Sequence, residues 1–262
     1  MNFHQNGQVK YLTFPFLDCD KRIAHGIFQR HGGCSPQPWS SLNLSTTVGD
    51  SRENVIQNRI TILNSLDFPE DDFFDVWQIH SSVVVITDKP RPREQNYIQA
   101  DAIITAKPGV VLLMRFADCV PILFFDPVNC VIALAHAGWM GTVNKIAKVT
   151  VEKMQASFGS KAKDILACIG PSISVEKYPV GVDVIERIKS AFPGSWESLV
   201  KIKKDVSYLD LWKSNETALH EAGVENVTLS KICTATNPGD WFSHRAEKGK
   251  TGRFGILFSI IK

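Results

Sequence analysis

The stretch FADCVPILFFDPVNCVIALAHAGWMGTVNKI (residues 116–146) holds two apolar runs, 121–126 and 131–136, around the segment DPVNC. Asp, Pro and Asn favour tight turns, so the two runs predict a β-hairpin. Residues equidistant from the turn face each other in an antiparallel pair. A turn centred near Val128 sets Phe125 opposite Val131 and Ala137 across from Cys119, with His136 one step away. A core strand needs neither a thiol nor an imidazole. Yet Asp118 and Cys119 head the first run, and His136 ends the second, just before Gly138-Trp139-Met140-Gly141. Strand ends lie at the rim of a sheet, where a rigid frame supports functional groups.

Working outward, further strands are predicted at 23–28, 73–79, 83–87, 102–105 and 110–115. The segment 87–100, TDKPRPREQNYIQA, has two prolines and mixed charge and predicts a loop between two strands. A helix is predicted from Asp50, where DSRE forms a capping box with Glu53, and Val55, Ile56, Ile60 and Leu63 recur at helical spacing. Another should start near Met140, with Val143, Ile146, Ala147, Val151, Met154 and Phe158 on one face. Later elements are a strand at 165–169, helices at 182–191 and 207–222, and strands at 227–233 and 255–261. Strands and helices mix without regular alternation. That favours an α/β or α+β sandwich, with helices covering sheets, in one domain spanning 1–262. Neither a dinucleotide-binding G-x-G-x-x-G nor a P-loop is present.

The 262 residues suffice for a substantial core, and 44% hydrophobic with 21% charged residues is ordinary globular composition. A net charge of +2 gives no nucleic-acid surface, and the run KIKK (201–204) fits a solvated face. No apolar run reaches membrane-span length, and the first residues lack the basic flank and apolar core of a signal peptide. The six cysteines are scattered, with no C-x-x-C pair, and are expected to be cytosolic thiols in a cytoplasmic protein.

His80, Cys119 and His136 each sit at the edge of a predicted strand. Two imidazoles and a thiolate make a three-ligand set for zinc, with a fourth position open to water or substrate. No local spacing rule joins them, so the residues alone favour the competing arrangement, a buried cysteine with two hydrogen-bonded histidines. The glycines around Trp139 predict a turn into a helix whose first N–H groups suit a phosphate or carboxylate; a hydrophobic plug by Trp139 is the alternative. Arg245 and Arg253, in a glycine-rich tail, are candidate anion holders or exposed loop residues. Asp118 either stabilises positive charge beside Cys119 or caps a strand end.

Taken in order, the segments RHGGCSPQPWSSLNLSTTVGD with Asn58-Arg59, QIHSSVV, ADAIIT, PGVVLLMRFADCVPILFFDP, AHAGWMGTV, IGPSISVEKYPVG and CTATNPGDWFSHR…TGRFG resemble the YfiH-type, laccase-domain family. That family was historically labelled polyphenol oxidase and is now treated as zinc-dependent purine nucleoside phosphorylases. The resemblance implies metal ligands at His80, Cys119 and His136, and catalytic roles for Cys119, His136 and Asp118. It implies substrate contacts from Asn43, Arg59, Trp139, Arg245 and Arg253. It implies a layered α/β/β/α sandwich resembling the catalytic domain of cytotoxic necrotizing factor. The implied partners are phosphate and the nucleosides adenosine, inosine and methylthioadenosine, with adenosine deamination as a further activity. Two departures stand out. Met140 occupies the place of the family's usual arginine in GWRG, and Lys177 precedes Tyr178 where a cysteine is frequent. If that arginine helps hold phosphate, the task passes to Arg59, Arg245 or Arg253.

Two other chemistries use the same residues. Cys119 as nucleophile and His136 as base suit a thiol amide hydrolase acting on peptidoglycan precursors. Two His and one Cys also form a blue-copper set, with Met114 and Met140 nearby as axial candidates. Seven histidines without an H-x-H pair disfavour a multicopper phenol oxidase. Cytidine-deaminase chemistry lacks its H-x-E and P-C-x-x-C signatures.

Overall fold

A computed structural model of the protein describes residues 1–92 and 94–261. Its strands are β1 (Asn2–Asn6), β2 (Val9–Thr13), β3 (Ile23–Phe28), β4 (Phe73–Asp75), β5 (Val84–Ile86), β6 (Ala102–Thr105), β7 (Val111–Phe116), β8 (Val120–Asp126), β9 (Val131–Ala137), β10 (Leu166–Ile169), β11 (Pro179–Val180), β12 (Val200–Lys203), β13 (Val206–Leu209), β14 (Asn226–Leu229) and β15 (Phe254–Ile260). Its α-helices are α1 (Pro15–Asp18), α2 (Arg52–Asn64), α3 (Trp139–Val143), α4 (Ile146–Phe158), α5 (Val182–Ala191), α6 (Trp196–Leu199) and α7 (Leu211–Glu221).

The first sheet has the order β1-β2-β3-β15-β7-β4, the second β14-β10-β8-β9-β6-β5, and β11-β13-β12 form a small third sheet. The central strands are buried on both faces, so they read as continuous apolar runs without alternation. Leu123, Phe125, Ile132 and Leu134 face Leu112, Met114, Phe254 and Ile256 between the two large sheets. On the far side of the second sheet, Ile122, Phe124, Ala133 and Ala135 pack on Ile146, Val151 and Met154 of α4 and Ala218 and Leu219 of α7. On the far side of the first, Val111, Leu113 and Leu257 meet Ile62 and Leu63 of α2. The molecule is an α/β/β/α sandwich. Each large apolar side chain buried in it contributes roughly 1.5–3 kcal/mol.

The hairpin of β8 and β9 forms, but in another register. Val120 pairs with Ala137, Pro121 with His136 and Phe125 with Ile132. The loop is symmetric about Val128 and Asn129, held by the Asp126 carboxylate, which accepts from the N–H groups of both. Side chains alternate with period two, so this one-residue change reverses which face each side chain takes.

The strand expected over 227–233 ends at Leu229, and four other boundaries differ from the sequence expectation. The cap of α2 is Ser51, whose hydroxyl accepts from Asn54 N–H; Asp50 instead accepts from Ser35 and Asn43 in the interior. The helix expected after Met140 breaks at Lys145, which sits at φ +53° between α3 and α4. Residues 206–209 are strand, because VSYL pairs with β11 and β12; α7 starts later, capped by Asp210. The strand expected over 73–79 stops at Asp75, since the chain then turns around another carboxylate.

Candidate metal centre and its cavity

That carboxylate belongs to Asp101, fully buried just before β6. Its Oδ2 accepts from Ile79 N (3.2 Å), Ser81 N (2.6 Å) and Ser81 Oγ (2.7 Å), and its Oδ1 from His80 N (3.1 Å). Three successive N–H groups wrapped on one side chain draw His80 to φ +60°, a left-handed conformation uncommon outside glycine. Oδ1 also lies 2.8 Å from His136 Nδ1. An ionised carboxylate only accepts, so the Nδ1 proton sits on His136 and its Nε2 is left for a ligand.

The observed β8–β9 register places Cys119 and His136 on one face, the face turned toward the first sheet. The expected register would have set them on opposite faces. Phe116 packs against the His136 ring at 5.6 Å, and the His80 and His136 rings meet edge to face at 4.8 Å. The ligand atoms of His80, Cys119 and His136 all lie within 4.8 Å of one another. Donors around one tetrahedral zinc stand about 3.5 Å apart, so side-chain rotation closes the set on a single ion. Gly138 leaves the room: a Cβ there would stand 2.7 Å from His80 Nδ1 and 3.0 Å from Cys119 Sγ. Two nitrogens and a sulfur, with one imidazole oriented by a carboxylate, fit a zinc site with an open position.

Without metal, the same atoms form an ion pair. Burial pushes the Cys119 thiol up, but the His136 charge and hydrogen bonds from both histidines outweigh it and bring it down to about 6. Burial lowers His136, while the Cys119 thiolate and Asp101 raise it to about 9.

The trio opens on a cavity of about 450 Å³. Asp118, Trp139, Arg245 and Arg253 line it, as do Trp77, Gln78, Tyr97, Arg115, Tyr178 and His244. Asp118 is a strut: at φ +81°, it accepts from Thr234 Oγ1 (2.6 Å) and Arg245 N (2.7 Å), tying the C-terminal loop to the metal strand. The Arg245 guanidinium rests over the Tyr178 ring at 4.9 Å. The structure does not bring Asn43 or Arg59 into the cavity. Asn43 is fully buried, and its Oδ1 accepts from Arg253 N, so it positions that arginine from behind. Arg59 donates to Leu44 O and to Asp75 beneath α2. Met114 lies in the inter-sheet core, and neither it nor Met140 lines the cavity. Helix α3 has five residues, too short for a strong dipole. Asp101, Arg115 and Tyr178 were missed as site residues. Asp101 heads an apolar strand as Cys119 does, and that pattern was the available signal.

The fold and cluster together define a layered α/β protein with a His-Cys-His centre at the end of its inter-sheet layer. Residues 24–261 match the family described as multi-copper polyphenol oxidoreductase laccase. The chain belongs to that family. A purine nucleoside phosphorylase of Deinococcus radiodurans is 38% identical over 91% of this chain and 89% of its own. One from Bacteroides thetaiotaomicron is 33% identical over 96% of each chain. Among solved structures, the hypothetical protein YfiH of Bacillus licheniformis superposes with a TM-score of 0.91 at 31% identity. That match covers 99% of both chains. YlmD of Geobacillus stearothermophilus gives 0.92 at 30% identity, again over 99% of both. No helix among the described residues is long and apolar enough to cross a membrane, and all six cysteines are free thiols.

Proposed function

We propose that the protein, working as one unit over 1–262, is a zinc-dependent purine nucleoside phosphorylase of the cytoplasm. The observation that carries the reading is one cavity that joins the His80–Cys119–His136 cluster to arginines and aromatic side chains. Its volume is of the size that encloses a nucleoside. Adenosine, inosine and methylthioadenosine share a purine face for Trp77, Trp139 or Tyr178 to stack on, and a ribose within reach of the polar lining. A phosphate oxygen forms a bond to C1′ as the C1′–N9 bond breaks, and the bonding pair leaves with the purine. The guanidinium groups of the lining supply positive charge for the phosphate, and Asp118 holds the Arg245 loop in place. Zinc held by His80, Cys119 and His136 would supply Lewis acidity beside the substrate. Adenosine deamination at the same site would replace the 6-amino group by a water oxygen and release ammonia, a reaction that needs no phosphate.

A second reading rests on the thiolate–imidazolium pair and Asp101, which have the arrangement of a Cys-His-Asp hydrolase. Zinc separates the two, because a metal-held thiolate is a poor free nucleophile. The test is product analysis of zinc-loaded protein with adenosine, with and without phosphate. Adenine plus ribose 1-phosphate, formed only with phosphate, supports phosphorolysis. Inosine in both arms means deamination, and no product in either removes the nucleoside reading.

A further inference from the structure

Three guanidinium groups converge on the fully buried carboxylate of Asp75, at the end of β4. Arg91 Nε donates at 2.8 Å, Arg115 Nη1 at 3.0 Å and Arg59 Nη1 at 3.3 Å. Three cations on one anion leave a surplus of buried positive charge, which is costly unless a further anion meets it. Arg59 turns its remaining donors to Leu44 O. Arg91 turns its Nη1 to the carbonyls of Pro92 and Gln95, with Tyr97 stacked on its guanidinium. Arg115 is the member of the three that lines the cavity. It donates to Asp75 and, through Nη2, to Val76 O, which uses two of its five N–H groups.

Arg253 stands beside it. Arg115 pairs with Gly255 across β7 and β15, and Arg253, one residue before β15, lines the same cavity. Gly255 carries no side chain, and Leu44 Cδ1 packs into the space over it, 2.3 Å from where a Cβ would stand. Arg253 donates Nη1 to the carbonyls of Thr251 and Gly252 and bonds no carboxylate. Its main chain is fixed by Asn43 Oδ1 accepting its N–H and by Leu44 N donating to its carbonyl.

We infer that Arg115 and Arg253 form a two-guanidinium clamp for inorganic phosphate, with Arg59 and Arg91 balancing Asp75 so that the charge of Arg115 stays free for the ligand. The clamp deepens the phosphorylase reading and rests on it. It also explains how a chain with Met140 in place of arginine holds its anion. Two forks lining one cavity suit a dianion with several oxygens better than a monodentate carboxylate.

The test is titration of the zinc-loaded protein with inorganic phosphate by calorimetry, for wild type, Arg115→Met, Arg253→Met and Arg115→Lys. Each Met variant should weaken phosphate binding by about 10- to 100-fold, the size of one charge-assisted contact. The Lys variant should fall between, and the affinity for adenosine alone should move less than about threefold. In wild type, phosphate should also protect Arg115 and Arg253 from phenylglyoxal, a readout that needs no variant to fold. Unchanged phosphate affinity in Arg115→Met overturns the clamp, as does an Arg115 that phenylglyoxal never reaches. Adenosine 5′-monophosphate binding in place of both ligands, with the larger loss in Arg115→Met, overturns it too by assigning the arginines to a nucleotide's phosphate. Phosphate binding that depends on both arginines without phosphorolysis leaves the clamp standing and sinks the functional reading. Phosphorolysis with an unchanged phosphate KM does the reverse.

Discussion

Replacing Asp101 by Asn keeps the side chain's shape and removes the group that orders the metal centre. Oδ1 serves two donors and Oδ2 three. An amide fits best with its oxygen at the Oδ2 position, which turns its NH2 toward His80 N–H and His136 Nδ1. Two donors then face each other at His136. The imidazole escapes by moving its proton to Nε2, and that proton occupies the lone pair a metal needs. Loss of such an orienting partner typically costs 10- to 100-fold in metal affinity, or about 1.4–2.7 kcal/mol. The assay is zinc competition against a chromophoric chelator at pH 7. Ser81→Ala, which deletes one hydroxyl contact to Oδ2, serves as the milder comparison and should lose less. A folded Asp101→Asn protein that binds zinc as tightly as wild type refutes the orienting role.

Further outcomes follow from the same geometry. Gly138→Ala puts a methyl 2.7 Å from His80 Nδ1, so zinc content should fall while the far sheet edges stay intact, as hydrogen exchange can report. In metal-free protein, Cys119 alkylation should track a thiolate half-formed at about pH 6 rather than at the ordinary 9.0. The rate should hold on the alkaline side, drop as pH falls through 6, and vanish when zinc is added; a thiol titrating near 9 contradicts the ion pair. Asp75→Asn leaves three buried guanidinium groups without their carboxylate and should cost about 3–5 kcal/mol in urea unfolding. A loss under about 1 kcal/mol means the charges find solvent.

The apolar runs of β7, β8, β9 and β15 were legible because buried strands need nothing but apolar side chains, and the layering followed from them. The register of the β8–β9 hairpin was not. A four-residue loop and one centred on a single residue look alike in DPVNC, and the choice rests on Asp126 accepting two backbone N–H groups. The end of β4 was illegible for a similar reason. FFDVWQIH alternates well enough for a strand, but Asp101, some twenty residues on, recruits its last N–H groups. The cluster of His80, Cys119 and His136 was visible as three strand-edge residues, though only family resemblance joined them, since no spacing links side chains that a sheet assembles. Arg59 shows the converse. The family resemblance implied a substrate contact for it, and the structure instead sets it against Asp75 and Leu44 O, away from the cavity.

If His80, Cys119 and His136 hold one metal ion beside the cavity, each should be needed for the metal to stay bound. Elemental analysis of purified wild-type, His80→Ala, Cys119→Ala and His136→Ala proteins tests it most directly. The expected result is about one zinc per chain in wild type and a marked loss in each variant. Full zinc retention in all three variants, or copper in place of zinc in wild type, contradicts the account.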